Sequence, residues 1–203
     1  MLKDAERRFS YLTSRDVSTG FSLVELMAVI SVLSILFAIG MPAFGRLLHD
    51  IEIRGNAEGL RAALQTARTE AITRNTLIRI SLADASGKPT WTMGCVNASA
   101  RCPRKISTYS AQADTKLRWG AALANDGIPI NVALAPGNRL PSVVTFNALG
   151  AAPGVASSTD TSRIDVIHSV NARARRLILL IAAAGTVRLC DPSAAPGAAL
   201  RCN

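Results

Sequence analysis

The run FSLVELMAVISVLSILFAIGMPAF at residues 21–44 constrains this chain more than any other feature. Its single charge is Glu25. A helix rises ~1.5 Å per residue, so ~20 residues cross a ~30 Å hydrocarbon layer. Phe21 to Gly40 supplies that length with almost no polar side chain, and the run reads as a membrane span rather than a soluble core helix. The residues before it, MLKDAERRFSYLTSRDVSTG, carry Lys3, Arg7, Arg8 and Arg15 and no apolar stretch. A secretory signal places its apolar stretch ahead of the small-residue cut site. Here the stretch follows Gly20. Basic residues ahead of the span favour a cytoplasmic amino terminus, with the remainder beyond the inner membrane.

A carboxylate in a membrane helix costs up to ~3 kcal/mol at the bilayer centre and calls for a partner. If the chain is cut after Gly20, the new α-amino group of Phe21 on a neighbouring subunit supplies the cation that Glu25 lacks. The chain beyond the span is long enough for one globular domain. Of its 203 residues 49% are hydrophobic, so a buried core is expected. The net charge of +9 attracts nucleic acid, anionic lipid or acidic protein. With aromatics at 4%, a base-stacking surface is not expected. His49 and His168 are the only histidines, which excludes a histidine-rich metal site. No G-x-S-x-G, P-loop or H-E-x-x-H occurs, so no enzyme, cofactor or metal is expected.

Beyond Pro42, Leu60, Leu64, Ala67 and Ala71 recur on one helical face. The helix is expected to run to about Arg74 and stop at Asn75. Gly40, Pro42 and Gly45, then Gly55 and Gly59, are soft spots expected to interrupt it. From residue 77 the period becomes two, with Ile78, Ile80 and Leu82 on one face. Further strands are expected at 90–95, 105–110, 115–120, 128–134, 142–147, 162–168, 175–181 and 185–190. Turn signals separate them, among them Asn125-Asp126-Gly127 and Pro136-Gly137-Asn138. Residues 153–162 read as an exposed loop. His49 reads as solvated on the helix and His168 as a surface or half-buried strand residue. Asp165 and His168 fall on opposite faces of their strand. The fold class is α+β: a long amino-terminal helix packed on a carboxy-terminal antiparallel sheet or sandwich.

Cys95, Cys102, Cys190 and Cys202 all follow the span, where an oxidising periplasm favours disulfides. Four cysteines allow three pairings. Cys95–Cys102 with Cys190–Cys202 closes short loops and is the expected set; the crossed pairings stay open. Arg173, Arg175 and Arg176, with Arg188, form a basic cluster, and Arg101, Arg104 and Lys105 form a second. Either is a solvated face or a set of phosphate contacts for double-stranded DNA.

The segment Gly20-Phe21-Ser22-Leu23-Val24-Glu25-Leu26 resembles the class III signal of type IV pilins and type II secretion pseudopilins. The resemblance implies cleavage after Gly20 by a prepilin peptidase and N-methylation of Phe21. It implies that Glu25 guides assembly with other pilins or pseudopilins. Pro42 falls where many pilins also carry proline. ARTEAITR at 67–74, VTFNALG at 144–150 and the Arg-Arg-Leu to Arg-Leu-Cys stretch at 174–190 resemble the GspH/FimT branch. That branch implies a minor type IV pilin that primes pili, some members serving DNA uptake, or alternatively a minor pseudopilin contacting secreted proteins. Its DNA-binding members carry a G-R-x-R tail motif; here Thr186 stands in place of the first arginine. The division expected is a cytoplasmic leader at 1–20, a transmembrane half-helix at 21–44, a periplasmic half-helix at 45–75 and a β-rich domain at 76–203.

Overall fold

A computed structural model describes residues 20, 22–85, 87–112, 115–169 and 175–202. Residues 1–19 of the leader, Phe21 and Arg173 lie outside the described residues. The chain divides into two compact units, Met1–Pro42 and Ala43–Asn203. In the first unit, Leu23–Gly40 forms a helical segment long and apolar enough to cross a membrane.

Helix α1 is assigned from Leu23 to Arg74 without a break. The glycines and Pro42 therefore do not end it, contrary to expectation. Helix-breaking residues lower stability locally, but the flanking turns supply enough hydrogen bonds to carry the helix through. Its end is specified: Asn75 adopts φ 48°, its N–H donates to Ile72 O (3.2 Å), and Thr76 N–H donates to Ala71 O (3.1 Å). This pair of bonds is the Schellman arrangement, which asparagine tolerates at its left-handed position.

In the second unit, Ile53, Ala57, Leu60, Leu64, Ala67 and Ala71 form the buried stripe of α1. They join a core supplied by eight antiparallel strands: β1 (Ile78–Ala85), β2 (Lys88–Cys95), β3 (Ser107–Ser110), β4 (Leu117–Ala122), β5 (Ser142–Phe146), β6 (Arg163–His168), β7 (Leu177–Ile181) and β8 (Val187–Cys190). One sheet has the order β3-β2-β1-β5 and the other β4-β6-β7-β8. The period-two pattern of β1 places Ile78, Ile80 and Leu82 in the core, while Arg79 and Ser81 are exposed. Trp119, Ile164, Val166 and Leu179 fill the core from the second sheet.

Two expectations are corrected. Residues 128–134 form no strand. Their carbonyls are consumed by arginines: Ile128 O and Pro129 O accept from Arg163 Nη1, Val132 O from Arg163 Nη2, and Ile130 O and Asn131 O from Arg176 Nη2. A segment whose carbonyls point at guanidinium groups cannot form a ladder. The stretch 153–162 is not simply an exposed loop. Pro153–Ala156 forms a helical turn, α2, and Ala152, Val155, Asp160 and Thr161 are buried around it. Asp160 Oδ2 accepts from Thr145 N–H (2.6 Å), so a carboxylate covers the free side of β5.

Candidate functional site

At the amino end of α1, Glu25 lies in the first turn. Its N–H donates to Ser22 Oγ (3.2 Å), and Leu26 N–H donates to Ser22 O (3.1 Å). Ser22 is thus the helix cap, and Ser22-Leu23-Val24-Glu25 has the capping-box spacing that a serine three residues ahead of a glutamate announces. Sequence reasoning passed over that signal. The first-turn N–H groups carry a partial positive charge that favours the carboxylate of Glu25 at this end.

The basic cluster is divided by the fold. Arg176 is only 15% exposed at its side chain, and its Nη1 donates to Asp165 Oδ2 (2.8 Å). Asp165, fully buried, also takes both Arg163 Nε (2.7 Å) and Nη2 (2.9 Å), together with Leu134 N–H (3.1 Å). Arg175 Nε donates to Asp191 Oδ2 (2.6 Å), while its backbone N–H donates to Asp50 Oδ1 (3.2 Å). Burial opposes charge on Asp191, but Ser193 and Arg175 outweigh it and hold the carboxyl below its ordinary range. Arg188 is exposed on β8. Two of the four arginines are therefore bound to internal carboxylates. In the second basic group, Arg101 O accepts from Arg74 Nη1 (2.8 Å). Arg79 and Arg104 border a shallow recess of about 180 Å³ with Ser81 and Thr92.

Cys95 is bonded to Cys102 and Cys190 to Cys202. The second bond fastens the tail, where Asp191 N–H donates to Leu200 O (2.6 Å). Ala124–Asp126 forms a 3₁₀ turn capped by left-handed Gly127, and its carboxylate is occupied: Asp126 accepts from Leu123 N–H (2.8 Å) and from Arg139. Among the described residues no group of three or more potential metal ligands converges.

The histidines are brought together, which spacing alone did not indicate. His49 on α1 and His168 on β6 have ring centroids 4.3 Å apart. His49 is half-buried rather than solvated, and His168 is buried rather than at the surface or half-buried. Burial lowers the affinity of His168 for a proton; His49 lowers it further, Glu52 opposes the shift, and Lys116 and Arg118 add to it.

The three carboxy-terminal motif segments meet at one point. Arg68 Nε donates to Gly150 O (2.9 Å). Asn147 Oδ1 accepts from Leu149 N–H and Ala151 N–H, both at 3.0 Å, and closes the turn that presents this carbonyl. Gly185 has φ 79°, and a Cβ on it would stand 1.8 Å from Gly150 O. Only glycine fits there. These motifs therefore fasten α1 to the β domain.

The family model described as Type II transport protein GspH matches residues 56–185. A second, the prokaryotic N-terminal methylation motif, matches residues 16–41. No curated protein matches the chain. A crystal structure of the type IV minor pilin FimU of Pseudomonas aeruginosa is 21% identical, covers 72% of this chain and 94% of that chain, and has a TM-score of 0.48. The minor pseudopilin EpsH from the Type 2 Secretion System of Vibrio cholerae is 11% identical, covers 70% and 99%, and has a TM-score of 0.44. With the matching model spanning more than half of its length, the chain belongs to the GspH family of pilin-like type II transport proteins.

Proposed function

We propose that the chain is a minor type IV pilin, anchored in the inner membrane by its amino-terminal helix and assembled with other pilins to prime a filament. The observation that carries this reading is the succession, in one chain, of the methylation motif over 16–41 and the GspH match over 56–185, with the apolar Leu23–Gly40 helix beginning inside the first. In this reading prepilin peptidase cuts after Gly20, leaving residues 1–20 in the cytoplasm, and Phe21 receives the methyl group. Within its own chain Glu25 gives its backbone N–H to Ser22 Oγ, and in the assembled filament its carboxylate meets a neighbour's Phe21 amine. The family's own description, type II transport, supports a second reading as a minor pseudopilin of type II secretion contacting secreted proteins.

DNA contact for uptake is the finer reading of the basic face. Among the described residues Arg188, exposed on β8, is its best-placed cation, since Arg175 and Arg176 face Asp191 and Asp165. The assembly reading is tested by expressing Glu25→Ala in cells and following cleavage and filament incorporation separately. Cleavage at wild-type level with clearly reduced incorporation is expected. Undiminished incorporation contradicts the assembly role of Glu25.

A further inference from the structure

Two of the four sheet edges in the second unit are covered along the strand, and a third is closed at its end. Thr161 N–H bonds Val143 O beside β5, Gly137 N–H bonds Trp119 O beside β4, and the disulfide-fastened tail closes over the end of β8. β3 is different: it ends its sheet, and among the described residues no segment pairs with its outer side. Ala111 N–H bonds Pro89 O in the β2–β3 register. The two-residue period of an antiparallel ladder then turns the N–H groups of Thr108 and Ser110 away from β2. A free edge of this kind accepts an extended chain.

A groove of about 590 Å³ lies beneath this edge, between α1 and the inner face of β2 and β3. That volume is in the range of binding sites. Trp91 and Tyr109 face each other across the β2–β3 register, ring centroids 6.2 Å apart and nearly parallel. Asn56 fixes the groove from within, accepting from Trp119 Nε1 (2.8 Å) and donating to Tyr109 Oη (3.1 Å). On the helix side Gly55 and Gly59 contribute no side chain, and a Cβ on either would meet nothing within 4 Å. Glu52 is the one charged residue of the lining, with Oε1 accepting from Thr115 Oγ1 (2.9 Å). As the one charge of the lining, the Glu52 carboxylate favours a cation at that point of the groove.

We propose that the β3 edge and this groove form a docking site for an extended peptide segment of a partner protein. The segment pairs with β3, seats alternate apolar side chains against Trp91 and Tyr109, and places a basic residue at Glu52. The inference is independent of the pilus-or-secretion choice. Both tryptophans of the chain, Trp91 and Trp119, line the groove, so intrinsic tryptophan fluorescence reports its occupancy alone. The test titrates the full chain, in micelles of a neutral polyoxyethylene detergent, with a capped heptapeptide of alternating valine and threonine carrying one central lysine. A saturable emission change is expected. Gly55→Leu, which fills open space on an exposed helix position, and Thr108→Pro, which removes an outward N–H, should each weaken it at least about tenfold. Replacing the peptide's lysine by glutamate should do the same. No change up to millimolar peptide overturns the proposal, as does a change that survives both variants. A concentration-dependent change without peptide, abolished by the same variants, assigns the groove to a second copy and also overturns it.

Discussion

Asp165 shows how a residue that looks like a candidate for chemistry is spent on architecture. It is fully buried and accepts from Arg163, Arg176 and Leu134 N–H. Those two arginines in turn hold the carbonyls of 128–134. Removing one partner of a buried pair leaves uncompensated charge, at ~3–5 kcal/mol. Asp165→Ala should therefore destabilise the domain by about that amount in a denaturant titration, and Arg176→Ala by a smaller but measurable part of it. Arg188→Ala, on the exposed face of β8, should leave stability within ~0.5 kcal/mol. If the DNA reading holds, that variant alone weakens duplex binding and flattens its salt dependence, read by fluorescence anisotropy at two ionic strengths. Glycine makes the complementary point. At Gly185 the left-handed backbone and the contact with Gly150 O leave no room for a methyl group. Gly185→Ala should cost at least ~2 kcal/mol by the same titration.

At the scale of elements, the disulfides are the cheapest to probe. Closing loops with sequence separations of 7 and 12 contributes about 2.5–3 kcal/mol each through the denatured state. Cys202→Ser should lower stability by roughly that much and raise hydrogen exchange in the tail after Cys190, while β1 and β2 stay protected. Regular elements were legible because their signals are local. The buried stripe of α1 follows from Leu60, Leu64, Ala67 and Ala71, and β1 follows from Ile78, Ile80 and Leu82. The Ser22-to-Glu25 cap is equally local, a serine three residues ahead of a glutamate. What escaped depends on contacts distant in sequence. Residues 128–134 look like a strand until Arg163 and Arg176 take their carbonyls, and β7 starts at Leu177, with the Arg175 N–H given to Asp50 Oδ1 instead of a strand. His49 and His168 could not be paired from sequence, since nothing in either segment encodes the position of the other.

At the scale of the whole molecule, the burial of His168, with His49 beside it, gives stability a pH dependence. The folded state lowers the affinity of His168 for a proton from an ordinary value of 6.5. Below that pH the unfolded chain binds the proton more readily, so stability is full above about 6.5 and falls as pH drops toward the lower folded value. His168→Gln should remove that part of the slope in thermal unfolding at pH 7 and pH 5. Asp191 acts at the acid end: its depressed pKa adds stability above 3.8 that is lost as pH falls through the folded value. Neither effect touches the amino-terminal unit, whose apolar helix and methylation motif carry the functional account. The proposed subunit is processed and membrane-anchored, and intact-mass and amino-terminal peptide analysis of the protein isolated from membranes tests this most directly. A chain beginning at Phe21 with one added methyl group is predicted; a mature chain that retains Met1, or begins at any other residue, contradicts it.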